Sequence, residues 1–407
     1  MNEKKRTGRA LAASILSLSL LTVMAGAAVA PALGVIREAF AGESQILIQM
    51  IISVPALFIF AANLIFPKLC ARMGSRSLVL TGLLLYTFGG VMAGVFSNIW
   101  LLLAMRAVVG IGVGIIMPLS TGLLAYYFPA GRLDRMMGAS SAMNQIGGVI
   151  ATLLSGVLAA VSWRASFLVY LMGLISIVLC LVFLPDDRIQ SENAESSAGE
   201  NLRKYSPYIA AMFFLMMSFF IYPSNFAMVS TADGSVPQNL IAVIMAGMDV
   251  IAAAGGVLFV KIKEKTGESV RLLAPSLFLL GYLLLAARTD LFFIMLGSAC
   301  IGFANGLGIP FIIAAASRKA GKTAAATALP LISASLYLSQ FLTPFVYSAV
   351  KTLPGLESLP HLPYYMGICT SLIFLIWSAL LLREGDFQEK KGETFREIRQ
   401  AGPQTEN

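Results

Sequence analysis

Twelve runs of roughly 20 apolar residues fill almost the whole chain, each long enough to cross the hydrocarbon core of a bilayer. They lie near 10–36, 45–66, 78–96, 99–125, 137–161, 165–184, 207–228, 240–260, 272–287, 291–315, 324–349 and 364–382. In hydrocarbon no water is available to the backbone, so such runs must close their own hydrogen bonds as helices. Composition agrees: only 12% of residues are charged and mean hydropathy is +0.81, where soluble domains carry about a quarter charged residues. The expected fold class is an all-α integral membrane protein of twelve transmembrane helices. Little sequence is left for a soluble catalytic domain.

The halves of the chain echo each other. Gly110-Ile-Gly-Val-Gly-Ile-Ile-Met-Pro118 returns as Gly302-Phe-Ala-Asn-Gly-Leu-Gly-Ile-Pro310, so that Gly110, Gly114 and Pro118 pair with Gly302, Gly306 and Pro310. Each stretch lies in the fourth apolar run of its half. A second echo follows the second run of each half: Lys68, Arg72 and Gly74 return as Lys261, Lys265 and Gly267. Two similar halves in a membrane chain are the pattern of secondary transporters, whose substrate site lies between the repeats. The expected organisation is two pseudo-symmetric six-helix bundles, 1–184 and 207–382, joined by a polar linker at 185–206 and followed by a tail at 383–407. The linker is rich in Ser, Glu and Asn and too poor in apolar residues to fold alone.

The net charge of +8 is distributed as topology, not as a nucleic-acid footprint. The seven segments on the N-terminal side hold 24 Lys and Arg, whereas the five loops on the other side hold 4. Positive residues stay cytoplasmic, which puts both termini in the cytoplasm of a cell-membrane protein. Ala28-Val-Ala30 after a basic start could pass for a cleaved signal peptide, but cleavage would leave eleven spans and invert the basic loops. The first helix is therefore read as retained. Cys70, Cys180, Cys300 and Cys369 have no paired spacing and read as small apolar residues. Neither metal-ligand spacing nor a phosphate loop or nucleotide motif occurs, so no cofactor, metal or enzymatic activity is expected. Without an ATP site, transport would run downhill or on an ion gradient.

These features resemble the major facilitator superfamily over essentially the whole chain. After span 2, Leu69, Arg72, Gly74 and Arg76 match the family's first motif, while Pro67 and Ala71 stand where it has Gly and Asp. Arg106 with Gly110 and Gly114 resembles its span-4 motif. Ala30-Pro31 ending span 1, Trp163-Arg164 before span 6 and Ser339-Gln-Phe-Leu-Thr-Pro344 in span 11 look like exporter members. The drug–proton antiporter branch has Gly-Pro before its paired glycines in span 5. Here Gly147-Gly148 stands without that proline. The resemblance implies a major facilitator fold, a monomer, alternating access to a midplane cavity, and a cytoplasmic latch formed by Lys68, Arg72, Gly74, Lys261, Glu264, Lys265 and Gly267. Ala71 in place of Asp should weaken that latch, although Glu264 takes the equivalent place in the second half. Topology-setting charge alone also accounts for part of this pattern.

Asp249 is the only acidic residue deep inside a span. An ionised carboxylate there costs several kcal/mol, so it faces a cavity or a partner and is functional by default. Ala242, Ala246, Ala252, Ala253 and Gly256 surround it with a small-residue face that turns towards other helices. Reversible protonation competes here with a purely structural, hydrogen-bonded Asp. Arg106 is the only basic residue in a span core. It lies on one stripe with Gly110, Gly114 and Pro118, and reads equally as a coupling residue or as a buried brace satisfied by carbonyls. Gln49, Asn144, Gln145, Asn225, Asn305 and Gln340 lie on the spans that line the cavity in this family. Inter-helix glue is the plain alternative for each.

The expected activity is secondary transport of a small molecule: proton-coupled export of an amphipathic organic compound or drug, with Asp249 as the proton and cation site. Uptake or facilitated diffusion of an organic anion anchored by Arg106 is the alternative. A polytopic receptor or scaffold that transports nothing is the second, though it needs no buried charge in each half.

Overall fold

A computed structural model describes residues 2–187, 198–287, 290–356, 359 and 361–380. The expected tail at 383–407 and the linker residues 188–197 lie outside them. Among the described residues the chain is helical, without strands: α1 Asn2–Ala27, α2 Leu33–Ala39, α3 Gln45–Arg72, α4 Ser75–Ala93, α5 Ile99–Tyr127, α6 Ala130–Val161, α7 Met172–Phe183, α8 Ala198–Asp233, α9 Gln238–Thr266, α10 Val270–Ala287 and α11 Leu291–Lys351. A last helix, α12, covers Leu362–Leu380. Local signals set several of these ends. The Asn98 side chain accepts from the amides of Trp100 (2.8 Å) and Leu101 (3.3 Å), capping the start of α5. Gly267 ends α9 at φ +58°, a backbone region that suits glycine.

Eleven of the described helical segments are long and apolar enough to cross a membrane. The expected crossing at 324–349 falls within α11, whose helical turns run from Leu291 to Lys351 without forming one straight rod. Its two ends run in opposite directions. Gly302 and Gly306 abut Met248 and Ala252 of α9, whereas Ser335 and Ser339 donate to the carbonyls of Ile209 and Phe213 of α8. Because α8 and α9 follow one another across the short connection 234–237, α11 carries two crossings of opposite direction. Span 1 differs from expectation in another way. It breaks after Ala27, passes through a 3-10 turn at Ala30–Ala32, and resumes as α2. Pro31 cannot donate a backbone hydrogen bond and its ring crowds the preceding turn, which favours a break there. Span 6 likewise begins as a 3-10 turn, Ala165–Leu171, before α7.

The repeated glycines pack in equivalent places. A Cβ on Gly110 would meet Pro55 and Phe58 of α3, and one on Gly114 would meet Ile59 and Ala62. Gly302 and Gly306 meet Met248 and Ala252 of α9 in the same way. From Pro55 to Met248 and from Ile59 to Ala252 the offset is 193, the offset of the echoed loop from Lys68 to Lys261. Span 4 thus sits on span 2 as span 10 sits on span 8. Glycine is required at each of these close approaches because any side chain would collide with backbone.

Helices α1 and α3–α7 pack chiefly on one another, and so do α8–α11. Between the two groups the main junctions are α6 with α9, α3 with α11, and α2 with α8. The face where α3 and α9 end carries Lys68, Arg72, Lys261 and Lys265, and is called the basic face below. Contacts across the seam concentrate towards the opposite, far face. Gly34 lies against Ala227 and Thr231, Gly156 against Ala242, and the Lys351 ammonium donates to Gln45 at 3.0 Å. On the far face these contacts hold the two groups together.

Candidate transport site

Asp249 stands half-buried on the face of α9 that meets α6. The small residues expected around it do face other helices: Ala242 meets Gly156 of α6, and Ala252 meets Gly306 of α11. The Thr152 hydroxyl of α6 donates to Asp249 Oδ2 at 3.2 Å, and Gly148, one turn earlier, leaves room beneath the same oxygen. Among the described residues no cation pairs with Asp249; the Asp233 carboxylate meets the His361 imidazole at 2.9 Å on the far face. One hydrogen bond to a charged group contributes about 1.5–3 kcal/mol, less than the several kcal/mol that desolvating a carboxylate costs. Asp249 thus has one hydroxyl partner and an open side, the setting of a group that can gain and lose a proton or meet a cation.

Arg106 is fully buried and braces three elements. Its Nε donates to Ile51 O at 2.7 Å and its Nη2 to Ala25 O at 2.6 Å, while Nη1 meets the Tyr170 hydroxyl. Both carbonyls are orphans for reasons written in the sequence. The amide that would normally bond Ile51 O belongs to residue 55, which is a proline. Ala25 O lies in the last turn of α1, where carbonyls lose their helical partners. Tyr170 OH also donates to Ala25 O at 2.8 Å, so Arg106 and Tyr170 together cap the break in span 1.

The amides separate into distinct settings. Gln49 Nε2 donates to Asn225 Oδ1 across the seam at 2.6 Å, and Asn225 Nδ2 donates to Ile221 O at 2.9 Å. Gln340 Nε2 reaches Ile52 O at 3.4 Å, so α3, α8 and α11 converge on one polar cluster. Two oxygens in it, Gln49 Oε1 and Ser53 Oγ, are buried without a hydrogen-bond partner. Asn144 accepts from Thr22 within the first group at 2.9 Å, which makes it inter-helix glue. Gln145 is half-exposed one residue on. Asn305 stands apart on α11 with its Oδ1 buried and unpaired.

Among the described residues, no hydrogen bond or ion pair of the loop residues expected to form a latch joins the two groups. Lys68, Arg72, Lys261, Glu264 and Lys265 are exposed on the basic face. Gly74 has φ −66°, so its glycine is not needed for the backbone turn. It is needed for space: a Cβ there would strike the Asp186 carboxylate. Asp186 accepts from the amides of Arg76 (3.1 Å) and Ser77 (3.3 Å) and so caps α4, while Asp187 accepts from Tyr127 OH at 2.7 Å. With alanine at position 71, a carboxylate from the segment after α7 holds this loop. A cavity of about 270 Å³ opens on the far face beside Arg37, Gln45, Asp233, Tyr347 and His361, and does not reach Asp249.

Residues 15–344 match the profile of the Major Facilitator Superfamily. The chain belongs to this family. Among curated relatives it is 26% identical over 148 residues to the riboflavin transporter RibZ of Clostridioides difficile, and 37% identical over 125 residues to a multidrug resistance protein B homolog of Mycobacterium tuberculosis. It is also 26% identical over 121 residues to the quinolone resistance protein NorA of Staphylococcus aureus. These matches cover 36%, 30% and 30% of this chain, and 32%, 23% and 31% of those relatives. The chain thus spans a third or less of the curated relatives it matches. Among solved structures, a mutant of the nucleoside transporter NupG superposes with a TM-score of 0.77 at 10% identity, over 91% of this chain and 99% of that one. A bacterial homolog of the lysosomal transporter Spinster, inward-facing and unoccupied, gives 0.69 at 16% identity over 92% and 95%. At such identities the likeness establishes the fold, a helical major facilitator fold in a multi-pass membrane protein.

Sequence reasoning missed Thr152, Tyr170 and Ser53. The stripe Gly148, Thr152, Gly156 at four-residue spacing was a usable signal, since small residues mark close helix contacts and a lone hydroxyl on such a stripe faces the same partner.

Proposed function

We propose that this member of the superfamily is a proton-coupled exporter of amphipathic organic cations, working by rocking 1–184 against 207–382 about a midplane site. One observation carries the reading: the chain's only acidic residue deep inside a span lies on the seam between the two groups, with one hydroxyl and, among the described residues, no cation for company. In an exporter of this kind Asp249 holds either a proton or the substrate's positive charge, never neither for long, because its desolvated charge needs compensation. Two matched relatives are named for drug or quinolone resistance, which supports export. The charge asymmetry supports a cytoplasmic basic face, so the contacts on the far face make this the outward-closed state. The Gln49–Asn225–Gln340 cluster offers hydrogen-bonding groups to the polar end of the substrate. We read Arg106 as a brace for span 1, since its bonds go to carbonyls and a phenol of its own group; this leaves an organic-anion carrier the weaker reading.

The test is a panel of lipophilic amines, quaternary ammonium dyes and organic anions in proteoliposomes holding the full chain under an imposed pH gradient. Cations should move only when the gradient is present and should drive proton movement the other way. Movement of anions alone, or of cations at a rate independent of the gradient, would overturn the proposal.

A further inference from the structure

The hydrogen bond from Thr152 to Asp249 joins the two groups, so it can exist only while α6 and α9 touch. That contact is set by a stripe on α6. Gly148 lies beneath the carboxylate, Thr152 donates to it, and Gly156 seats Ala242 towards the far face. When the far face opens, these helices must part and the hydroxyl is withdrawn.

We propose that Thr152 is a positioning residue that ties the charge state of Asp249 to the conformation of the transporter. This rests on Asp249 being the proton site. A hydrogen bond donated to a carboxylate favours its ionised form, and loss of that bond favours the neutral acid. With the far face closed, Thr152 therefore helps Asp249 release its proton to water on the basic face. With the far face open and Thr152 gone, Asp249 is readier to accept a proton from water on that side. Each cycle moves one proton from the far face to the basic face through the Asp249 carboxyl, the order in which a proton gradient can drive export. The surroundings leave the task to this bond. Tyr222 of α8 lies within electrostatic reach of Asp249, and its hydroxyl is turned to Ser298, to which it donates. Cys300 of α11 turns to Gly281 of α10. In their membrane-crossing parts α6, α10 and the first half of α11 bring no charged side chain to the seam.

Thr152→Val keeps the shape of the side chain and removes only the donor. In proteoliposomes the pH profile of gradient-driven transport should move to higher pH by about one unit, the equivalent of one net hydrogen bond, while Thr152→Ser keeps the wild-type profile. Infrared titration of the carboxyl band, assigned by difference against Asp249→Asn in the purified full chain, should move in the same direction even in a Val variant that transports poorly. Should Val destabilise the chain, Thr152→Ala carries the same comparison. Profiles of Val and wild type that coincide, or a Ser variant that shifts as far as Val, would overturn the role of Thr152. If Asp249→Asn itself keeps gradient-driven transport, the proton-site reading fails first; if it loses coupling while Thr152→Val is unshifted, only the present inference fails.

Discussion

Replacing Arg106 with methionine should be about half as harmful in a chain that carries alanine at position 55. Arg106 Nε satisfies Ile51 O because Pro55 has no amide hydrogen to give it. In the single variant Arg106→Met that carbonyl is buried without a donor, at a cost of about 1–3 kcal/mol. Ala25 O keeps the Tyr170 hydroxyl at 2.8 Å and suffers less. Loss of the buried charge itself returns part of the cost, because desolvating a guanidinium is unfavourable. The expected net destabilisation is about 2 kcal/mol. In Pro55→Ala the new amide can bond Ile51 O within α3, so Arg106 becomes partly redundant. The double-mutant cycle should then show a coupling of about 1 kcal/mol, within the range measured for hydrogen bonds inside membranes. The assay is reversible unfolding of purified protein in mixed micelles titrated with a denaturing detergent, followed by tryptophan fluorescence. Additive losses would refute the reasoning, since they would mean that Arg106 does not stand in for the amide that proline lacks. A stabilised Arg106→Met single variant would refute it as well.

Five further substitutions test the packing and capping contacts. Gly302→Leu and Gly306→Leu should each cost about 1–3 kcal/mol or prevent folding, because Met248 and Ala252 backbone lies where the Cβ must go. Gly256→Ala, whose Cβ would sit at an ordinary 3.6 Å from Gly306 O, should be tolerated in the same detergent titration. Gly74→Ala should displace Asp186 and cost about 1 kcal/mol, the worth of a helix N-cap; Asp186→Ala should cost about as much, and the double variant no more than either alone.

Much of this fold was legible because membrane helices declare themselves. The twelve apolar runs and the basic-loop asymmetry follow from what hydrocarbon tolerates, and the glycine echo marked the positions where span 4 meets span 2 and span 10 meets span 8. The break in span 1 was readable in principle from Pro31. So was the task of Arg106, once Pro55 is seen one turn after Ile51. Pairings between distant helices were not readable. Thr152 is one threonine in an apolar helix, and nothing local says that its hydroxyl meets Asp249, 97 residues on. The linker's Asp186 filling in for the acid replaced by Ala71 was equally hidden, because that contact depends on how α7 returns to the start of α4.

The most direct test of the account is gradient-driven transport by Asp249→Asn in vesicles. Asparagine keeps the size of the side chain and can still accept from Thr152, but it cannot titrate. The account expects the variant to fold, to reach the membrane at wild-type levels, and to lose transport driven by a pH gradient, while Asp249→Glu keeps part of the activity with an altered pH optimum. Wild-type gradient-driven transport by Asp249→Asn would contradict it, since no other acidic residue lies deep within the spans, and the protein would then be better described as a uniporter.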